Sequence, residues 1–280
     1  SIGDWSSDVC SSDLEGSKGA SVDEVEVQTF DLATATATTT ATATAISLPL
    51  GLSMNLSGPV RADLRREPGT NLLMVIDEPG PLLVALVVLA RAGVRTEVLD
   101  YGGTDEDGAA RLAAAADAAT TTVSRRREVR DRLTDLVAEI DERIQLHDYG
   151  SPPIVVVIHG LHRAREFDPN GEYDDASESG LLKRIGRDGP EVGVHLVVWI
   201  DKKASVDRRL SYDALREFGL RVCGPASRED SLALIDSDEA QGLHPGQAVF
   251  DDHDQGRHQR VRLFVSPDRQ WSAHMTGSAP

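Results

Sequence analysis

The sequence predicts an α/β fold: a twisted, mainly parallel sheet with helices on both faces. Residues 154–158 and 194–200 are apolar runs of strand length without alternation, the pattern of strands buried on both faces. A single helical segment, 180–187, lies between them. Upstream, residues 71–76, 82–92 and 94–99 give a strand–loop–helix–strand order, which a right-handed crossover turns into two parallel strands. The 280 residues leave room for one large α/β domain or two small ones.

The first residues stand outside this fold. Asp4-Trp5-Ser6-Ser7-Asp8-Val9-Cys10-Ser11-Ser12-Asp13-Leu14 matches, in order, the translation of a short-read sequencing adapter, so residues 1–14 are set aside as an artefact. The expectation that follows is a gene continuing upstream, with further domains there. Residues 15–48 read as a low-complexity linker. Within it, residues 22–27 alternate like an exposed strand edge, and 33–45 are almost pure Ala and Thr, with too little apolar bulk to offset the entropy of ordering. The folded domain is expected over 49–272, with 273–280 a tail.

Within that domain, residues 50–64 carry two turn signals and a short strand. Residues 71–76 form a buried strand, Asp77-Glu78-Pro79-Gly80-Pro81 a tight loop, and 82–92 an apolar helix ended by Gly93. The next strand is 94–99, followed by an Ala-rich helix over 105–119. Val129, Leu133, Leu136, Val137, Ile140 and Ile144 recur at helical spacing with charges between them, an amphipathic helix against the sheet. After strand 154–158, the acidic, turn-rich stretch 166–179 is expected to be mobile. Helix 180–187 and strand 194–200 follow, then a helix over 210–218, a strand over 220–223 and a helix over 227–235 with Ser227 as N-cap. Residues 247–250 and 260–265 close as a hairpin across Asp254-Gln255-Gly256, and the chain frays after Trp271.

A formal charge of −17 argues against this piece gripping a phosphate backbone by itself, since a free-standing nucleic-acid binder carries a basic stripe. With Cys10 set aside, Cys223 is the one remaining cysteine, which leaves no intrachain disulfide or thiolate zinc cluster and fits a reducing cytosol. The longest apolar stretch, residues 82–90, is too short to span a membrane.

Several segments together resemble the C-terminal RecA-like P-loop motor domain of the FtsK/SpoIIIE family of DNA pumps, which also supplies the ATPase modules of type VII secretion. Leu50-Gly51, Gly58-Pro59-Val60 and Asp63-Leu64 are similar to the family's first strand region, and Asn71-Leu72-Leu73-Met74-Val75 sits where its phosphate-loop strand begins. Residues 181–198 resemble the segment ending in glycine-isoleucine-histidine-leucine and a strand, and Ser205-Val206-Asp207 matches its serine-valine-aspartate. Arg221-Val222, Arg228-Glu229-Asp230-Ser231 and Leu234-Ile235-Asp236 resemble the late strand and helix. The likeness covers 49–264. Gly189-Pro190-Glu191-Val192-Gly193-Val194-His195 and Gln255-Gly256-Arg257 look most like the last, degenerate module of multi-motor members.

The resemblance also locates two catalytic positions, and both depart from the family's pattern. A phosphate loop needs glycines whose N–H groups wrap the phosphates, a lysine for the β/γ charge and a hydroxyl for magnesium. The vestigial loop Asp77, Glu78, Pro79, Gly80, Pro81 offers one glycine, two prolines without N–H and two carboxylates, and no lysine occurs between Lys18 and Lys183. At the acidic site His159 stands where the magnesium-binding aspartate belongs and Gly160 where the water-activating glutamate belongs. Glycine has no base, and magnesium prefers oxygen to imidazole. The implied module is hydrolysis-deficient and holds no cofactor of its own, with ATP and magnesium in the parent's other modules. Its implied roles are ring assembly, regulation or substrate docking. The implied partners are adjacent ATPase modules in a homo-oligomeric ring, with DNA or a secreted polypeptide as cargo of the full protein. The implied location is the cytoplasm, any membrane tether lying upstream. A nucleotide-independent interaction domain, or a protein-binding module of a type VII-like ATPase, is the alternative.

Other constellations have blander readings. His159-x-x-His162 with Asp174 or Asp175 imitates a transition-metal set, but His at this spacing after a strand is more often structural. Asp251-Asp252-His253-Asp254 with His258 reads as a solvated turn, and His195 as a hydrogen-bonded structural residue. Arg125-Arg126-Arg127 with Arg130 reads as a helix face against an acidic neighbour. No serine sits in a Gly-x-Ser-x-Gly elbow.

Overall fold

The computed structural model describes residues 45–55, 58–102, 112–113 and 120–266. The alternating stretch 22–27, the Ala/Thr tract before residue 45 and the tail lie outside them, as does the helix expected over 105–119 apart from helical residues 112–113.

Ten strands form one sheet: β1 Ala45–Ser53, β2 Pro59–Arg65, β3 Leu72–Val75, β4 Arg95–Asp100, β5 Thr121–Arg125, β6 Ile154–His159, β7 Val194–Ile200, β8 Leu220–Cys223, β9 Gln247–Asp252 and β10 Arg257–Leu263. Their order is β2-β1-β10-β9-β8-β3-β7-β6-β4-β5. The block from β8 to β5 is parallel throughout, and the remaining pairs are antiparallel. The expected mainly parallel sheet is present, with an antiparallel extension on one side.

The unbroken apolar runs have a direct cause. Leu72 and Met74, Val155 and Val157, and Val197 and Trp199 point into one core; Leu73 and Val75, Val156 and Ile158, and Leu196, Val198 and Ile200 point into the other. Both faces of each central strand are covered, so both side-chain sets must be apolar. Helix α1 (Gly80–Arg91) packs on the first face together with the β1–β2 hairpin. Helices α2 (Val129–Gln145), α3 (Glu178–Asp188), α5 (Tyr212–Arg216) and α6 (Arg228–Ile235), with the short α4 (Lys203–Arg209), cover the second. Ser177, Ser211 and Ser227 each cap a helix by accepting a backbone N–H, satisfying a donor the first turn leaves open.

Four expectations need correction. The first strand begins at Ala45, ahead of Pro49, and residues 50–64 supply parts of two paired strands rather than one. Residues 121–125 form an edge strand, β5, which their Thr-Thr-Val alternation beside three arginines did not announce. The helix expected over 210–218 is the shorter α5, preceded by the unforeseen α4. Finally, the acidic stretch 166–179 is built: Phe167 is fully buried, Asp168 accepts the Asn170 N–H at 2.9 Å, and Ser179 Oγ accepts the Asp168 N–H at 2.8 Å.

Candidate functional site

In an open parallel sheet, ligands bind beyond the carboxyl ends of the strands. Here β3, β7, β6 and β4 bring one in-register row to that end, on the face of α1: Met74 opposite Trp199, Trp199 opposite His159, and His159 opposite Asp100. Parallel pairing at a two-residue period puts all four on the same side. β7 separates β3 from β6, so the turn after β3 and the end of β6 face one another across Trp199.

Trp199 fills that interval. Its Nε1 donates to the Ile76 carbonyl at 2.8 Å, and its ring stacks on His159 with centroids 5.1 Å apart at 29°. His162 meets the same ring edge-on at 5.2 Å. The His159 Nδ1 lies 3.0 Å from Asp100 Oδ1, and Asp100 also accepts the Gly102 N–H at 2.8 Å. Burial pulls the Asp100 carboxyl upward, but these two contacts outweigh it and hold the group below its ordinary value. Burial, reinforced by Arg163, His159 and Arg209 and opposed by Asp201, lowers the His162 pKa. Gly160 follows with φ 84, a left-handed turn that glycine adopts without strain.

The loop after β3 is shorter than expected. Asp77 and Glu78 are exposed, Pro79 is the N-cap of α1, and Gly80 and Pro81 already belong to its first turn. A Cβ on Gly80 would lie 2.1 Å from the Phe264 carbonyl oxygen and 2.8 Å from Ser266 N. The glycine makes room for the backbone after β10, which lies against the first turn of α1. A cavity of about 420 Å³ opens beside it, lined by Asp77, Glu78, Gly224, Pro225, Phe264 and Val265 among others. That is ligand-sized, yet among the described residues its walls carry two carboxylates and no lysine or arginine. Lysines do approach from the other side: Lys202 and Lys203 share a cavity with Asp77 and Asp201, but its volume is only about 70 Å³, too small for a nucleotide. Sequence reasoning missed Trp199 and this lysine pair, because only the register of β7 brings them to the site.

Other residues singled out from the sequence fall elsewhere. His159 and His162 do converge, but on Trp199, and their acidic neighbours are Asp100 and Asp201, the latter 4.0 Å from His162, instead of Asp174 or Asp175. Among the described residues, no three His, Cys, Asp or Glu side chains are placed to hold a metal. Asp252 is not in a solvated turn; it is fully buried and paired with Arg65 at 3.1 Å and Arg257 at 2.7 Å. Burial raises its pKa, but the two guanidiniums hold the carboxyl below its usual range. His258 Nδ1 lies 3.1 Å from Asp251 Oδ1 across the hairpin. His195 Nδ1 donates to the Thr70 carbonyl at 3.1 Å, and burial pushes its pKa down to about 4. The basic run meets an acidic neighbour, Arg126 with Glu166 at 3.2 Å and Arg130 with Glu178 at 3.1 Å. Cys223 is buried and unpaired, its thiol pushed up to about 12, so it is no nucleophile.

No family model and no curated protein matches the sequence. Solved structures do match in fold. The pCW3 conjugation coupling protein TcpA, in a monomer form with ATPγS, aligns with a TM-score of 0.59 at 16% identity over 80% of this chain and 67% of that one. EssC ATPases 2 and 3 from Geobacillus thermodenitrificans give 0.57 at 13% identity over 86% of this chain and 51% of that one. The cytoplasmic domain of the Thermomonospora curvata type VII secretion ATPase EccC gives 0.59 at 15% identity over 84% of this chain and 31% of that one. Sheet order and these alignments define a RecA-like P-loop ATPase fold. In particular, the chain shares its fold with an FtsK/SpoIIIE-type coupling protein and with type VII secretion ATPases, and it spans about half of the EssC pair and a third of the EccC domain. No helix among the described residues is long and apolar enough to cross a membrane.

Proposed function

We propose that this chain is a terminal, catalytically inactive module of an FtsK/SpoIIIE-type ATP-dependent translocase, serving ring assembly, regulation or substrate docking. One observation carries the reading. The interval between the ends of β3 and β6, where a triphosphate and its magnesium would lie in such a fold, is filled by the Trp199 indole bridging Ile76 and His159. The surroundings agree with it. A triphosphate entering beside Asp77 and Glu78 would meet like charge, and among the described residues no lysine or arginine lines that cavity to offset it. Pro79 and Pro81 remove N–H groups that a phosphate would need. In this reading the fuel and magnesium belong to other modules of the parent, and DNA or a secreted polypeptide is the parent's cargo.

Isothermal titration of the full chain with ATP and magnesium tests it. The expected result is no saturable binding up to millimolar nucleotide and no phosphate release. Micromolar binding with turnover overturns it. A protein-binding module of a type VII-like ATPase is the second reading, favoured by the fold shared with EssC and EccC. Recovering the upstream reading frame separates the motor reading from a nucleotide-independent binder: a Gly-x-x-x-x-Gly-Lys-Ser/Thr loop there supports the former, and its absence the latter.

A further inference from the structure

The walls of the cavity beside the first turn of α1 point to its occupant. Its volume of about 420 Å³ takes one large side chain, and Pro225, Pro245, Leu263 and Val265 give it an apolar bed. Val265 is left 41% exposed there. Asp77 and Glu78 line the same cavity, both exposed, and among the described residues neither takes a hydrogen bond or ion pair. The cavity thus sets an apolar bed beside two carboxylates that lack a cation.

The described residues end on this wall. Phe264, Val265 and Ser266 all line the cavity, and the backbone from Phe264 to Ser266 lies against Gly80, whose missing side chain makes room for it. The chain therefore leaves from the cavity mouth. The residues after Ser266 read Pro267-Asp268-Arg269-Gln270-Trp271. Ser266-Pro267-Asp268-Arg269 has the residue pattern of a β-turn, with serine first and proline second. A turn there sends the chain back over Val265. Trp271 stands five residues beyond Ser266, within about 18 Å of it however the chain runs. Its indole suits the apolar bed, and the Arg269 guanidinium suits the two acids.

We propose that residues 267–271 of this chain fold back over the cavity, with the Trp271 indole on Pro225, Pro245 and Val265 and the Arg269 guanidinium paired with Asp77 and Glu78. Being joined to the cavity wall, the segment reaches the cavity at a far higher effective concentration than a free ligand does. The proposal stands apart from the inactivity of the ATP site. That reading is judged by titration with nucleotide, and this one by the fluorescence of the segment's own tryptophan.

The test is acrylamide quenching of tryptophan fluorescence in the full chain, the Trp271 signal being the difference between wild type and W271F. The expected signal lies to the blue of that of a free peptide of residues 267–277 and is quenched severalfold less. D77K/E78K and R269E should each raise the quenching at least about threefold, the scale of an exposed ion pair lost and reversed. D77K/E78K/R269E, which restores opposite charges, should bring it back toward the wild-type value. D131K/E191K, an equal charge change at exposed positions elsewhere, should leave it unchanged. Trp271 as quenchable in the full chain as in the free peptide overturns the proposal, as does shielding that D77K/E78K leaves intact. Shielding that disappears on dilution places the segment in a second copy and overturns it too.

Discussion

Trp199 makes contacts of two kinds: a hydrogen bond to the Ile76 carbonyl, and ring contacts with His159 and His162. Replacing it with alanine removes a buried aromatic and orphans the Ile76 oxygen. A loss of about 3–5 kcal/mol in urea unfolding is expected. Trp199→Phe keeps most of the volume and leaves the carbonyl unpaired, at about 1–3 kcal/mol. Neither variant gains ATP affinity, since Asp77 and Glu78 remain in place. His195 sets a pH dependence. Burial holds its folded pKa at about 4, against about 6.5 in an unfolded chain. The folded form therefore favours neutral imidazole, and that contribution is complete above about pH 6.5 and lost as pH falls toward 4. The urea midpoint of the protein should decline over this range, and that of H195Q should decline less. Asp100 and Asp252, both held below the ordinary carboxylate range, contribute stability that fades only at lower pH still, below about 4.

At the scale of elements, the turn from β3 into α1 and the β9–β10 hairpin are one unit. Gly80 permits the backbone at Phe264 and Ser266 to approach, so Gly80→Ala forces a backbone shift. It should cost about 1–3 kcal/mol by thermal melting even though alanine suits a helix better than glycine. A result at or above wild-type stability removes this packing role. Asp252 ties the hairpin to β2 through Arg65, with Arg257 from β10 also reaching Asp63. Asp252→Ala leaves two guanidiniums facing a hole and should cost about 3–5 kcal/mol. From sequence, strands β3, β6, β7 and β8 were legible because their apolar runs are constrained on both faces. β5 was not, since an edge strand with exposed Val123 obeys no such constraint. Asp252 was misread for a related reason: an acid in an acidic turn looks solvated until two arginines, one distant in sequence, are seen to cover it.

For the whole molecule, the two ends of the sheet divide the surface chemistry. The carboxyl end carries Trp199 stacked on His159, and the amino end carries a cavity between α5 and α6. The chain spans only part of the type VII ATPases that share its fold.

Some features followed from the chain alone. Alternation-free apolar runs dictate strands covered on both faces, and the absence of lysine between Lys18 and Lys183 already left none in the loop after β3. Local composition suffices there, since each requirement falls on neighbouring residues. Tertiary structure alone decided what occupies the gap. Ile76, His159 and Trp199 are far apart in sequence, and only parallel register across β3, β7 and β6 stacks the ring of one on the next.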